Sequence, residues 1–148
     1  MAVKFVGWRG MSGGSPSSEV GVLDGSTATT KDTLCYADTS NDVLKTATSS
    51  AGTTLTLYGV FNETLASGAT TVSVTPLNES QLWEVDCTNN TATTQLYSRQ
   101  ILTDGATLNN SASDTATTAS VFRVTEIVGA ASDKKVRGYF IISHQVTA

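Results

Sequence analysis

The run Leu82-Trp83-Glu84-Val85-Asp86-Cys87 decides the fold class. Apolar and acidic residues alternate without a break, so Trp83, Val85 and Cys87 share one face and Glu84 and Asp86 the other. A period of two is that of a strand with one buried face and one wet face. The pattern recurs on both sides. Thr71-Val72-Ser73-Val74-Thr75 alternates and stops at Pro76, which has no N–H to give to a ladder. Residues 54–61 place Leu55, Leu57 and Phe61 together. Residues 95–103 read as a strand of mixed faces, closed by Asp104-Gly105. Residues 120–128 gather Phe122, Val124 and Val128 and end at Gly129, and residues 136–142 align Val136, Phe140 and Ile142. Short strands divided by turn residues predict an all-β fold, a single antiparallel β-barrel or sandwich. Residues 27–33, 46–53 and 108–118 read as polar loops, and only residues 40–48 offer a short helical turn. No internal repeat stands out.

Composition points the same way. Of 148 residues, 25 are Thr and 17 are Ser, while charged residues make up only 15%. Thr suits a pleated, half-exposed surface, and a surface of Thr, Ser and Asn in place of Lys and Glu builds helices poorly. A helical bundle, a coiled coil and an α/β enzyme are all disfavoured. The length is one domain's worth and buries a core without disulfides or a structural metal.

The net charge of −4, with basic residues spread thinly, argues against nucleic-acid binding, which runs on Lys and Arg at phosphates. No apolar stretch is long enough to span a bilayer, so no membrane partner is expected. Lys4 and Arg9 have no apolar core of a signal peptide behind them, so the chain reads as made in the cytoplasm. The triplets starting at Asn62, Asn78, Asn89 and Asn109 are those expected by chance in so Thr-rich a chain, and carry no glycosylation claim.

The first 25 residues differ from the rest. Lys4-Phe5-Val6-Gly7-Trp8-Arg9 is a short apolar cluster, and residues 11–18 have the composition of a linker. Val20-Gly21-Val22-Leu23 follows and ends at the turn signal Asp24-Gly25. Two readings are open. One is an ordinary first strand with a loop. The other, carried forward as the expectation, is an extended N-terminal arm over residues 1–25, ahead of a β domain over residues 26–148. Aromatic residues on an arm need something to bind, so Phe5, Val6, Trp8 and Met11 become the candidate contacts.

Catalytic constellations are weak. The single histidine, His144, lies beyond the last strand and reads as a surface residue. Glu84 and Asp86 point the same way, which acidic alternation on a wet face produces by default. Met11-Ser12-Gly13-Gly14 lacks the Lys and spacing of a phosphate loop. Asp38, Asn41 and Asp42 lack the fixed Gly and closing Glu of a calcium loop. Cys35 and Cys87 read as small apolar residues, and whether they pair is left open. No enzyme activity, metal or cofactor is expected. Tyr58, Tyr97 and Tyr139 alternate against apolar neighbours, the aromatic platform of a carbohydrate-binding or adhesin-like β module.

Residues 70–142 carry a resemblance. Leu82-Trp83-Glu84-Val85-Asp86-Cys87-Thr88-Asn89-Asn90 is followed by Gln95-Leu96-Tyr97-Ser98-Arg99-Gln100. Leu102-Thr103-Asp104-Gly105-Ala106-Thr107-Leu108-Asn109, Val121-Phe122-Arg123-Val124 and Val128-Gly129-Ala130-Ala131-Ser132-Asp133-Lys134-Lys135-Val136 come next. This order of motifs resembles small β-barrel capsid decoration (cement) proteins of tailed double-stranded-DNA bacteriophages. The resemblance implies a virion protein on the outer surface of the capsid. It implies the major capsid protein as partner, a homotrimer, no cofactor and no catalytic residue. It implies that the chain clamps neighbouring capsid subunits after head expansion. The alternative is a carbohydrate-binding or adhesin-like β module of a phage tail or fibre.

Overall fold

The computed structural model of the chain describes residues 2–10, 14–49, 56–110 and 120–142. They form an all-β fold of eleven strands: β1 (Val3–Trp8), β2 (Glu19–Val22), β3 (Leu34–Asp38), β4 (Val43–Thr46), β5 (Leu57–Phe61), β6 (Thr71–Pro76), β7 (Gln81–Cys87), β8 (Arg99–Asp104), β9 (Thr107–Asn109), β10 (Phe122–Val128) and β11 (Lys135–Phe140). The strictly alternating segment is β7, and it organises the larger sheet, whose order is β1-β7-β11-β10-β8-β9. One edge of β7 pairs with β11. The other is shared: residues 81–85 pair with β1, and Asp86 and Cys87 pair with Thr107 and Leu108 of β9. That last pairing closes β7, β11, β10, β8 and β9 into a five-stranded barrel. Closure removes the open edges that an antiparallel sheet otherwise leaves.

The remaining strands form a second antiparallel sheet of order β2-β6-β5-β3-β4. It curls until its two edge strands approach. A Cβ on Gly21 of β2 would stand 2.5 Å from Leu44 Cδ1 of β4, so a larger residue there would have to push the Leu44 side chain aside. The isolated bridge Thr48↔Asp104 and the bond from Leu34 N–H to the Gly105 carbonyl tie this sheet to the β8–β9 turn.

The barrel interior is filled as the alternation predicts. Trp83, Val85 and Cys87 of β7 meet Phe122 and Val124 of β10, Val136 and Phe140 of β11, and Leu102 and Leu108. Phe140 sits edge-on to both Phe122 (centroids 4.9 Å) and Trp83 (6.3 Å), the geometry that aromatic quadrupoles favour. Leu34, Leu57 and Val60 of the second sheet extend this core, while Cys35, Phe61, Val72 and Val74 form a second cluster inside the curl. β3 and β5 are therefore buried on both faces, at about 1.5–3 kcal/mol for each large apolar side chain fully removed from water.

Several expectations are corrected. The described part of residues 1–25 is not an extended arm. Val3–Trp8 is a strand hydrogen-bonded along β7, Glu19–Val22 pairs with β6, and Val3 and Leu23 are buried. β1 and β2 are thus each paired with a strand of the segment that follows them. The strand expected over residues 95–103 begins only at Arg99, because Thr93–Gln95 forms a 3-10 turn and Leu96 and Tyr97 continue it. Residues 43–46 are a strand and not a helical turn, and Leu108 and Asn109, read as loop, belong to β9. The barrel is not wholly antiparallel, since β7 and β9 run parallel. Leu57 and Phe61 do not share a face but lie in different clusters. In β10 a bulge between Val124 and Glu126 shifts the alternation, so Ile127 and not Val128 packs on the core.

Candidate interaction surface

The four residues singled out from the sequence are brought together only in part. Phe5, half-buried, packs edge-on against Trp83 (5.6 Å) and Trp8 (5.4 Å). Trp8 is also half-buried, and its indole N–H donates to the Gly14 carbonyl at 2.6 Å. Val6 lies at the register shift between Phe5 and Gly7 and is 41% exposed. Met11 lies outside the described residues, as does His144. Phe5 and Trp8 therefore serve the fold first, and Val6 is the one of the three left open to a partner. The β1 edge away from β7 pairs with no strand among the described residues, apart from the Val3 N–H, which donates to the Asp32 carbonyl.

The acidic candidates are already occupied. Glu84 accepts from the Arg137 guanidinium at 3.2 Å, and Asp86 accepts from the Ala2 N–H at 2.8 Å, which ties down the start of β1. Hydrogen bonds from Asn41 and then Lys45 hold the Asp38 carboxyl below the usual carboxylate range. Among the described residues, no three His, Cys, Asp or Glu side chains stand together as metal ligands. Cys35 and Cys87 are free thiols in separate core clusters. Burial pushes each thiol up to about 12, so neither is a nucleophile at neutral pH.

The three tyrosines do not form one platform. Tyr58 belongs to the second sheet, where it lines an apolar groove of about 320 Å³ between β2 and β4. Tyr139 and Tyr97 are linked instead through Arg123 of β10. The Arg9 guanidinium lies 3.7 Å over the Tyr139 ring, and Arg123, directly across from Tyr139, donates to the Tyr97 carbonyl at 2.5 Å. Arg9 also donates to the Glu79 carbonyl. Among the described residues neither Arg9 nor Arg123 meets a carboxylate, whereas Arg137 further along β11 has both Glu84 and Glu126. Sequence reading found the tyrosines but not this cluster, because its members come from the turn after β1, the turn before β8, β10 and β11.

Exposed large apolar side chains gather at two places besides Val6. One is Leu96 and Tyr97 on the barrel, with Tyr97 67% exposed. The other is β2, where Val20 and Val22 are 75% and 54% exposed beside the groove. Compared with known proteins, the chain matches no family model, no curated protein and no solved structure.

Proposed function

We propose that this chain is a capsid decoration protein, which binds the outside of an expanded phage head and stabilises the contacts between neighbouring major capsid subunits. The observation that carries the reading is β1: an edge strand whose outer side, beyond the bond from the Val3 N–H to Asp32, pairs with no strand among the described residues, with an exposed Val6 at its bulge, on a closed barrel. An open edge accepts a partner strand through main-chain hydrogen bonds, and a rigid scaffold lowers the ordering cost of doing so. The surface suits a static contact, since it is rich in hydroxyls and poor in flexible charged side chains. A partner that binds only the expanded shell stabilises it by mass action, by about 4 kcal/mol at a thousand times its dissociation constant.

The reading no longer rests on a detachable arm. Removing residues 1–14 would strip β1 from β7 and open the core at Val3 and Phe5. The test is therefore a point change. Wild-type chain should co-sediment saturably with expanded heads that lack it, and Val6→Asp should keep its fold but lose most of that binding. Heads that never retain the wild-type chain would reject the proposal.

A further inference from the structure

We infer that the chain associates head to tail with a second copy of itself, Tyr97 of one copy entering the groove between β2 and β4 of the next. The barrel supplies a projecting element. Leu96 and Tyr97 cap the turn before β8, and Tyr97 sits in the left-handed backbone region (φ 63°). That conformation is an outlier for a bulky side chain and persists only where surroundings enforce it. Here two bonds do so: the Tyr97 N–H donates to the Val124 carbonyl at 2.8 Å, and Arg123 holds the Tyr97 carbonyl. The result is an aromatic ring held out in water on a rigid base, the type of residue that anchors interfaces.

The second sheet supplies the receiving element. Its groove of about 320 Å³ is floored by Gly21, Ala37, Leu44 and Tyr58 and flanked by the exposed Val20 and Val22. The absent side chain at Gly21 keeps it open towards Leu44.

Charge selects the pairing. Residues 14–76 hold six acids against two cations, Lys31 and Lys45, and Lys45 is already bound to Asp38. Glu19 and Asp42, beside and within the groove lining, are exposed and meet no cation among the described residues. The projecting element is held by Arg123, and Arg9 lies over Tyr139 directly across from Arg123; neither meets a carboxylate among the described residues. An apolar projection with guanidinium neighbours thus matches an apolar groove with carboxylate neighbours, on one chain but on different sheets. A contact between two unlike patches is heterologous, so it propagates until the rotation closes a ring. The inference does not depend on the capsid reading and stands or falls on the purified chain alone.

Sedimentation velocity of the full chain, over a concentration series at low and high salt, tests it. The mean mass should rise above the 15.4 kDa of one chain as concentration rises, and high salt should weaken the rise by screening the charged neighbours. Tyr97→Ser, and separately Val20→Thr with Val22→Thr, alter exposed side chains and should keep the circular-dichroism spectrum while reducing the species to one chain. Mixed together, the two variants should form a one-to-one dimer and nothing larger, because each retains one working patch. A wild-type chain that stays at the mass of one chain throughout, variants that associate like wild type, or a mixture that never dimerises would each overturn the inference.

Discussion

Phe5→Ala separates a strand built into the core from an arm lying outside it. Full burial of a phenylalanine is worth about 1.5–3 kcal/mol, and for the half-buried Phe5 roughly half of that applies. The edge-on contacts with Trp8 and Trp83 contribute about 0.5–1.5 kcal/mol each. The loss on truncation is therefore about 2–4 kcal/mol. At about 2–4 °C per kcal/mol for a chain of this size, the melting temperature should fall by about 4–16 °C. Urea unfolding followed by Trp fluorescence should give a lower midpoint at an unchanged slope, since the surface exposed on unfolding is nearly the same. Phe5→Leu keeps the apolar bulk and loses the ring pairs, so it should fall between wild type and Phe5→Ala. An exposed arm residue would change stability by no more than about 0.5 kcal/mol. A shift that small for Phe5→Ala would refute the placement of β1 on the barrel.

Three further outcomes are expected. Gly138→Val should prevent folding or lower stability severely, because a Cβ there would collide with the Arg123 carbonyl oxygen across the β10–β11 pair; thermal melts and expression yield report it. Cys35 and Cys87 should resist a thiol reagent at mild alkaline pH and react only in denaturant. Their thiols are raised from 9.0 to about 12 on folding, so the stability tied to the neutral thiols is complete below pH 9 and drains away as the pH climbs towards 12. The Asp24 carboxylate, lowered to about 2 first by the Ser26 backbone N–H, should titrate there by NMR. Its contribution is present above the ordinary carboxylate pKa and is lost as the pH falls towards 2, so Asp24→Asn should flatten that acid limb.

The fold was legible where local chemistry decides structure. β7 could be read because its period of two is unbroken, and the turns at Asp24-Gly25 and Asp104-Gly105 because their side chains bond the backbone two residues on. Barrel closure was not legible. It depends on Thr107 and Leu108, three-residue β9 in a polar stretch, finding the end of β7 in parallel. The bulge in β10 was hidden because Thr125 looks like any strand residue, yet it moves the inward position from Val128 to Ile127. β1 was ambiguous for a different reason. Lys4 to Arg9 reads the same as arm or strand, and what decides is the vacant edge of β7 more than seventy residues away. Among the candidate contacts, exposure separates Val6 from Phe5 and Trp8, and exposure is a property of packing. The left-handed backbone at Tyr97 has no sequence signal at all, since nothing in Leu96-Tyr97-Ser98 asks for it.

The proposed role of the chain is to stabilise an expanded capsid. Its most direct test is DNA release from filled heads on heating, followed by a dye that the shell excludes, with heads lacking the chain and the same heads after saturation with it. Cementing predicts release at a distinctly higher temperature once the chain is bound, with the gain reduced in parallel with binding by Val6→Asp. Release at the same temperature with and without saturating chain would contradict the account.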